Sequence, residues 1–459
     1  MPRSLPQALL GSLQGLPGFD REAFIAVHEQ TQPPVSIRIN PRKQISEYAF
    51  PLVSGDRVPW SAQGFYLPER PSFTQDPLFH AGTYYVQEAS SMFLEQAVLA
   101  SGMAHESIVA LDLCAAPGGK STLMQSLLTP TSLLVSNEVI QSRVPMLMEN
   151  MQKWGGSNQV ITANDPSDFG RLPGFFDMMV VDAPCSGSGL FRKDPRAMDE
   201  WSTSNVMHCS QRQQRILADV LPSLKQNGVL IYSTCSYAVE ENEAMVEWLM
   251  AEHGLEPIEI PLEEDWHIVR TQNQQGTLTG YRFFPNWLRG EGFFICMLRN
   301  TRWYTAGEKG NQRSHRHTPI IQVATAPYNP WVTLTSEQAT FQYQDQWYLF
   351  PQTQLESLFQ LQQHLRIRKA GTCLGSWVRD GWIPDHAAAM STAVNAHVDA
   401  ITLDYEQALQ YLRHQPLSGI AGSKGWQLVT YQQQPLGFVK VLSNRINNYY
   451  PKAWRIVNK

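Results

Sequence analysis

Two cysteines each follow an apolar run that is typical of a buried β-strand. Cys185 lies four residues after Phe176–Val181, and Cys235 lies three residues after Gly228–Tyr232. In open α/β sheets, ligands bind in the crevice at the carboxyl ends of the strands. A thiolate placed there attacks electron-poor carbon well. The pair therefore predicts covalent chemistry, in which one thiol forms a bond and the other helps to undo it.

Length and composition limit the classes of protein that fit. The chain has 459 residues, of which 43% are hydrophobic and 17% charged, and this length predicts roughly two to four domains. No apolar run reaches the roughly 18 residues of a membrane span. Met1–Pro6 leads into no signal-peptide core,. We therefore expect a cytoplasmic protein with no membrane partner.

The six cysteines do not have the spacing of a metal site. None of them forms a C-x-x-C pair, and His208 next to Cys209 has no second pair of ligands at zinc-site spacing,. We expect reduced thiols and no metal.

Charge is distributed unevenly along the chain. The net charge is -5, yet no Asp or Glu follows Tyr411. A second basic stretch covers Arg299–His317, and aromatic residues accompany both stretches, namely Trp303, Trp426, Tyr449, Tyr450 and Trp454. Basic surface with interleaved aromatic rings suits nucleic acid, although an ordinary solvated surface explains the charge equally well.

Strand and helix patterns alternate from about Ser107 to Asn300. We predict strands at 107–113, 133–137, 159–163, 176–181, 228–232 and 293–298, and helices at 119–128, 141–154, 208–226 and 239–253. This alternation predicts a mostly parallel, doubly wound α/β sheet. Because the strands are almost continuously apolar, both faces of the sheet should be covered.

The flanking segments differ from this core in composition. Residues 1–100 contain Pro-rich breaks and predict a small α+β region, and residues 101–302 hold the core,. A polar linker should reach about Thr318, followed by small, partly β modules at 318–385 and 386–459. Strand-like runs there are Tyr343–Leu349 and Trp426–Tyr431.

A loop after the first core strand could hold a cofactor. Its glycines let the backbone approach a ligand closely, and the helix that follows presents free N–H groups. Glu138 lies 20 residues after Gly118, the offset of an acid that binds ribose,. Asp165 could accept from an adenine amino group, and Asp182 ends the next strand. The loop residues are Cys114, Ala115, Ala116, Pro117, Gly118, Gly119 and Lys120.

Several kinds of ligand could occupy this loop. A P-loop fits Gly119-Lys120-Ser121 but requires glycine at position 114, which is Cys114,. This mismatch argues against an ATPase, and the G-x-G-x-x-G dinucleotide pattern is absent as well. A nucleoside without phosphates remains, and S-adenosyl-L-methionine fits that description. The alternative is a tight turn with no ligand, but acids at successive strand ends argue against it.

Together these segments resemble the RNA cytosine-C5 methyltransferases of the Nop/Sun-domain family. The resemblance covers about Ser36 to Asn300, and its most specific motifs contain the two cysteines. The matching segments are Asp112–Lys120, Asp182–Gly187, Ser233–Ser236, Arg192–Pro195 and Tyr85–Met92. The tail, with Pro435–Gly437 and Asn447–Pro451, resembles a bacterial subfamily that modifies a cytosine in the decoding region of 16S rRNA.

The resemblance implies a Rossmann-like methyltransferase core, an N-terminal α+β region that contacts RNA, and a PUA-like RNA-binding domain at the C-terminus. It also implies a monomer that methylates rRNA of the assembled or partly assembled small subunit. It assigns Cys235 as the nucleophile that adds to C6 of cytosine, and Cys185 as the residue that aids release. Asp182 would bind the N3/N4 edge of the base, or the cofactor. Lys120 and Lys193 could stabilise a thiolate or bind phosphate. The alternative hypothesis for the whole protein is an RNA-binding assembly factor with an inactive methyltransferase core.

Overall fold

The computed structural model describes residues 4–30, 32–43, 55–304, 322–379, 381–395, 397–417 and 422–457. The linker predicted to end near Thr318 lies outside the described residues from position 305 onward. Within the described ranges, the helices are too short or too polar to cross a membrane.

The N-terminal region is a small α+β unit that packs against the core. Its strands form an antiparallel sheet in the order β2–β1–β3. Helices and strands are α1 (Gln7–Ser12), α2 (Arg21–Gln30), β1 (Val35–Ile39), β2 (Gly64–Leu67), α3 (Pro77–His80), β3 (Tyr84–Val86) and α4 (Leu94–Ala100). Arg38 on β1 is buried and donates to Gln87 Oε1 at 2.8 Å and Thr122 Oγ1 at 2.7 Å. These bonds tie the N-terminal sheet to the helix of the predicted cofactor loop.

The core alternates strands and helices as the sequence predicts. Its first half contains β4 (Val109–Asp112), α5 (Gly119–Leu127), β5 (Leu133–Asn137), α6 (Val144–Trp154), β6 (Gln159–Thr162), α7 (Pro166–Phe169) and β7 (Phe176–Asp182). Its second half contains α8 (Pro195–Glu200), α9 (Thr203–Val220), β8 (Leu224–Thr234), α10 (Glu243–His253), β9 (Leu255–Pro257), β10 (Val269–Gln272), β11 (Leu278–Phe283) and β12 (Phe293–Asn300).

The central strands run parallel in the order β8–β7–β4–β5–β6. Antiparallel strands β10, β11 and β12 extend the sheet beyond β8. Alternate side chains of β7 enter different apolar clusters, with Met178 and Val180 on one face and Met179 and Val181 on the other. Both faces are therefore covered, and the predicted doubly wound α/β core is confirmed.

The C-terminal third is mostly β-structure. Its first elements are β13 (Gln322–Val323), β14 (Gln338–Tyr343), β15 (Gln346–Pro351), α11 (Leu355–His364), β16 (Ile367–Ala370), β17 (Thr372–Val378), β18 (Gly381–Pro384) and α12 (His386–Met390). The last are β19 (Ala400–Thr402), α13 (Tyr405–Leu412), β20 (Gly425–Tyr431), β21 (Gln434–Val441) and β22 (Ile446–Asn448). Strand β16 pairs with β6, so the C-terminal part contributes an antiparallel edge strand to the core sheet.

Two sequence predictions of local structure are wrong. Tyr343–Leu349 is not one continuous strand. It begins at the last residue of β14, passes through the hairpin turn, where Gln344 adopts a φ of 54°, and continues into β15 from Gln346. The helix predicted at 208–226 spans Thr203–Val220 instead, and Leu224 already begins β8. It begins earlier because the Ser202 hydroxyl accepts a hydrogen bond from the backbone N–H of Asn205,. It ends earlier because Pro222 has no backbone N–H to continue the helix,.

Candidate active site

The sheet brings the two cysteines together. Strands β7 and β8 are parallel neighbours, and Asp182 pairs in register with Ser233. The chain therefore leaves both strands at the same edge, and the two thiols meet with Sγ atoms 3.1 Å apart. The hydrogen bond with Cys235 and, to a lesser degree, burial raise the pKa of the Cys185 thiol. Cys185 is therefore placed to hold a proton beside the other sulfur.

Gly189 explains how the two loops approach so closely. Its backbone N–H donates to the carbonyl of Cys235 at 2.8 Å. A Cβ at this position would lie 2.3 Å from the Gly292 oxygen and 2.8 Å from the Cys235 oxygen. A side chain here would push the Cys235 loop away, so glycine is required for the close approach.

Asp182 joins the cysteines to the predicted cofactor loop. Its carboxylate is 2.8 Å from Lys120 Nζ and accepts from the Ser233 hydroxyl at 2.8 Å. Burial lowers the pKa of Lys120, but the charges of Asp182, Asp112 and Cys235 raise it more, so its pKa is raised overall. Lys120 therefore places a persistent positive charge beside Cys235.

The predicted cofactor loop borders a cavity of about 200 Å³. Gly118 has a φ of 115° where the loop enters α5, a conformation that L side chains rarely adopt,. The cavity is lined by Tyr85, Val86, Gln87, Glu88, Ser91, Cys114, Ala115, Ala116, Pro117, Gly119, Lys120 and Asp182. Burial raises the pKa of the Cys114 thiol above its ordinary range, so Cys114 stays a neutral thiol at the cavity wall.

Buried acceptors near the loop fit a ligand that donates hydrogen bonds. Oδ1 of Asp112 and Oε2 of Glu138 are buried without a hydrogen-bond partner. Arg143 lies 3.3 Å from this Glu138 oxygen as an ion pair, and it also donates to the carbonyl of Ala116. Ribose hydroxyl groups and an ammonium group are donors, so a nucleoside with an amino acid tail suits these oxygens.

Asp165 and Lys193 lie outside this cavity lining. Asp165 uses its carboxylate to cap α7, accepting from the N–H of Ser167 at 3.1 Å and from its hydroxyl at 2.8 Å. This contact is the capping role of an N-terminal helix residue. Lys193 instead lines a larger cleft, of about 1100 Å³, between the N-terminal region and the core.

The segment Tyr85–Glu88 separates the two cavities, which sequence reasoning did not foresee. Val86, Gln87 and Glu88 line both the small cavity and the large cleft. The Glu88 carboxylate accepts from the backbone N–H groups of Ser90, Ser91 and Glu291 at 2.9 Å each. The segment is therefore a rigid wall shared by both cavities. Its unusual density of polar residues after a strand is the signal that could have shown this.

Glu241 is a second residue that sequence reasoning missed. Its side chain is fully buried and accepts hydrogen bonds from Ser186 and Ser236, the residues that follow the two cysteines. In the sequence it looks like one acid among several at the start of a surface helix, so only its burial distinguishes it.

Replacing Asp112 by asparagine should stabilise the protein at high pH in the absence of cofactor. Burial raises the pKa of Asp112 to about 7, against 3.8 in the unfolded chain, despite a hydrogen bond from Ser121. Between pH 3.8 and about 7, the folded state binds a proton that the unfolded chain has released. This proton stabilises the folded state fully below about pH 4. The stabilisation is lost as pH rises towards 7, by at most about 1.4 kcal/mol per pH unit,.

An asparagine side chain does not titrate, so the unfolding free energy of the Asp112→Asn variant minus that of the wild type should increase between about pH 5 and pH 8. Urea unfolding at both pH values measures this difference. A difference that does not change with pH would contradict the burial of an uncompensated carboxyl group.

Comparison with known proteins agrees with this arrangement. The family described as 16S rRNA methyltransferase RsmB/F matches residues 99–299. The N-terminal domain of 16S rRNA methyltransferase RsmF matches 5–89, and the methyltransferase RsmF PUA domain matches 398–456. These matches confirm the predicted PUA-like domain at the C-terminus.

Curated relatives extend the similarity along most of the chain. A ribosomal RNA small subunit methyltransferase F of Citrobacter koseri is 32% identical over 414 residues, covering 86% of this chain and 84% of the relative. Its counterpart in Psychromonas ingrahamii is 31% identical, covering 98% and 96%.

Solved structures share the core. A methyltransferase homologue from Pyrococcus horikoshii is 27% identical, with a TM-score of 0.51, over 64% of this chain and all of its own. NSun6 from the same organism, solved with SFG, has 18% identity and a TM-score of 0.55 over 66% of this chain and shows the same fold. Because the core matches this methyltransferase family, the cofactor is S-adenosylmethionine, as the loop predicted. The chain belongs to the ribosomal RNA small subunit methyltransferase F family.

Proposed function

We propose that the protein methylates C5 of a cytosine in 16S rRNA of the small ribosomal subunit, through a covalent bond between Cys235 and C6 of the base. The observation that carries this proposal is the pair of thiols, 3.1 Å apart, at the carboxyl ends of neighbouring parallel strands. A single thiol would suffice for attack, whereas two in contact suit attack followed by release. The protein would act in the cytoplasm as a monomer.

The cofactor loop would hold S-adenosylmethionine beside the thiols. In this proposal, residues 114–120 border the cofactor, Glu138 accepts from the ribose hydroxyl groups, and Asp112 accepts from the amino group of its amino acid tail. When bound, the cofactor supplies an electrophilic methyl group. Asp165 would accept from the adenine amino group with the same carboxylate that caps α7.

Lys120 and Asp182 would prepare the attack. The Lys120 ammonium stabilises the thiolate of Cys235, which adds to C6 and makes C5 nucleophilic. Asp182, paired with Lys120 and Ser233, is suited to accept hydrogen bonds. We therefore propose that Asp182 accepts a hydrogen bond from the exocyclic amino group of cytosine. In this arrangement Asp182 does not donate a proton to N3.

Cys185 would govern the end of the reaction. After C5 takes the methyl group, a water molecule accepts the proton on C5. The electron pair of that C–H bond re-forms the C5–C6 double bond, and the bond between C6 and Cys235 Sγ breaks to return the thiolate. Cys185, whose pKa is raised by its hydrogen bond with Cys235 and by burial, touches that sulfur directly. It can donate its S–H hydrogen bond to the departing thiolate and so favour release.

RNA would enter through the large cleft. Arg70, Arg192, Lys193 and Arg289 line it, and it shares the wall Val86–Glu88 with the cofactor cavity. A base must leave its stack to reach such a crevice, so a single-stranded or loop region is the easier substrate.

The PUA domain would anchor RNA at a distance from the cleft. Lys440 Nζ lies 5.2 Å from the Trp426 ring, which contacts Tyr449 with a centroid separation of 4.4 Å. Tyr449 is 44% exposed, whereas Tyr450 is buried and cannot stack on a base.

Transfer of a radioactive methyl group from labelled S-adenosylmethionine tests the proposal. The acceptors are naked 16S rRNA and intact small subunits from a strain that lacks this protein. We expect the label in 5-methylcytidine after digestion to nucleosides, and comparison of the two acceptors identifies the assembly state that the enzyme requires. Label in another methylated nucleoside, or no incorporation into either acceptor, would contradict the proposal.

A further inference from the structure

One buried carboxylate lies beneath both cysteine loops. Oε2 of Glu241 accepts from the hydroxyl groups of Ser186 and Ser236, each at 2.5 Å. Oε1 accepts from the backbone N–H of Ser186 at 2.8 Å and from Gln213 Nε2 at 3.1 Å. Ser186 follows Cys185 and Ser236 follows Cys235, so a single side chain bonds both loops one residue after each thiol.

Gln213 extends the same connection. Its Nε2 also donates to the carbonyl of Pro184, the residue before Cys185, at 3.1 Å. The Tyr232 hydroxyl donates to Gln213 Oε1 at 3.0 Å and to the carbonyl of Glu241 at 2.6 Å. The Cys185 loop is therefore bonded to Glu241 both directly and through Gln213.

The next two residues fix the other loop. Asn242 accepts from the Thr234 hydroxyl at 2.6 Å and donates to the carbonyl of Ser236 at 2.8 Å. Glu243 forms a bidentate ion pair with Arg282. Arg282 also donates to the carbonyl of Tyr237 at 2.8 Å. Of these acids, only Glu241 bonds both cysteine loops.

Burying a carboxylate is costly unless its oxygens are well paired. Burial raises the pKa of Glu241, although the hydrogen bonds from Ser186 and Ser236 act in the opposite direction. Apolar packing or two separate loop contacts would hold each loop at lower cost. The loops also meet through the bond from Gly189 N–H to the Cys235 carbonyl and through the Ser186 and Ser236 hydroxyl oxygens, which are 3.1 Å apart. What the carboxylate adds is one charged acceptor shared by both loops, because both serine hydroxyl groups donate to the same oxygen.

We propose that Glu241 is a positioning residue that sets the separation of the Cys185 and Cys235 thiols by holding both loops on one carboxylate. This inference rests on the proposed function. Glu241 would keep the Cys185 thiol, which releases the adduct, in contact with the Cys235 thiol, which forms it. Glu241 does not touch the base. Its effect should therefore fall on release more than on binding.

The Glu241→Gln variant cuts the link with little change of shape. Glutamine keeps one acceptor for the Ser186 N–H and Gln213, but its NH2 group is a donor. The two serine hydroxyl groups therefore lose the charged acceptor that they share in the wild type,. Glu240→Gln is the matched control, because the neighbouring Glu240 side chain is exposed. Should Glu241→Gln fail to fold, Ser236→Ala removes the same link from the other loop.

A thiol measurement made without RNA or cofactor tests the positioning role. Oxidised glutathione converts the two thiols to a disulfide and is itself reduced to two molecules of glutathione. The equilibrium constant reports how closely the thiols are held, and intact mass with peptide mapping identifies the Cys185–Cys235 bond. We expect this constant to fall about tenfold or more in Glu241→Gln and to remain at the wild-type value in Glu240→Gln. An equal constant in Glu241→Gln and wild type would overturn the proposal.

Methyl transfer supplies the second readout. In Glu241→Gln, turnover should fall about a hundredfold while KM for RNA stays within about twofold and the covalent protein–RNA band becomes stronger. A loss of turnover that merely follows a lower content of folded protein, with no stronger band, would overturn the role in release. Because the glutathione measurement needs no substrate, a wild type that transfers no methyl group would refute the proposed function and leave the positioning result standing.

Discussion

Replacement of Cys235 by alanine should abolish methyl transfer and, with it, every covalent protein–RNA complex. Without a thiolate to add to C6, C5 of cytosine remains a poor nucleophile, so turnover should fall on the order of a thousandfold or more. Binding of S-adenosylmethionine should be unchanged, because the proposed contacts with the cofactor are made by Asp112, Glu138 and residues 114–120 and not by Cys235. A filter-binding transfer assay and calorimetric titration of the cofactor measure the two effects.

Cys373→Ala is the matched control for this variant. Cys373 is a buried cysteine on strand β17, in the C-terminal part of the chain, and its loss should leave transfer within about twofold of the wild type. Retention of substantial transfer by Cys235→Ala would show that the nucleophile has been assigned to the wrong residue.

Replacement of Cys185 by alanine should have the opposite effect on the covalent complex. Attack by Cys235 proceeds, but the departing thiolate loses its hydrogen-bond partner, so the adduct should accumulate and multiple turnover should fall about a hundredfold. The adduct appears as a slowly migrating band on a denaturing gel. The Cys185→Ala, Cys235→Ala double variant should show no band. Normal turnover without a band in Cys185→Ala would refute its role in release.

Much of the fold could be predicted from the sequence because the core strands are buried on both faces. Such strands are nearly continuous apolar runs, and Leu133–Asn137 is observed with the predicted bounds. Elements with one exposed face were harder to predict. The β14–β15 hairpin turns at Gln344. This turn contains neither of the two residues, glycine and proline, that usually mark a turn in a sequence. The start of α9 at Thr203 depended on one cap, Ser202.

Part of the candidate site could likewise be predicted from the sequence, and part could not. The meeting of Cys185 and Cys235 followed from a general rule, since the carboxyl ends of parallel strands share one edge of the sheet. The order of the two thiols came only from the family resemblance and stays a prediction. The Lys120–Asp182 ion pair joins residues 62 positions apart, and the Glu241–Ser186 contact joins residues 55 positions apart. No local pattern records such pairs, because they depend on how the loops fold over the sheet edge.

The identity of the attacking residue is the central claim, and mapping the bond in the trapped complex tests it most directly. Cys185→Ala is incubated with substrate RNA and S-adenosylmethionine, digested with nuclease and protease, and analysed by mass spectrometry. We predict a single modified peptide that carries a methylated cytidine nucleotide on Cys235. A nucleotide on any other residue, or a complex that forms equally well in the Cys185→Ala, Cys235→Ala double variant, would contradict the account.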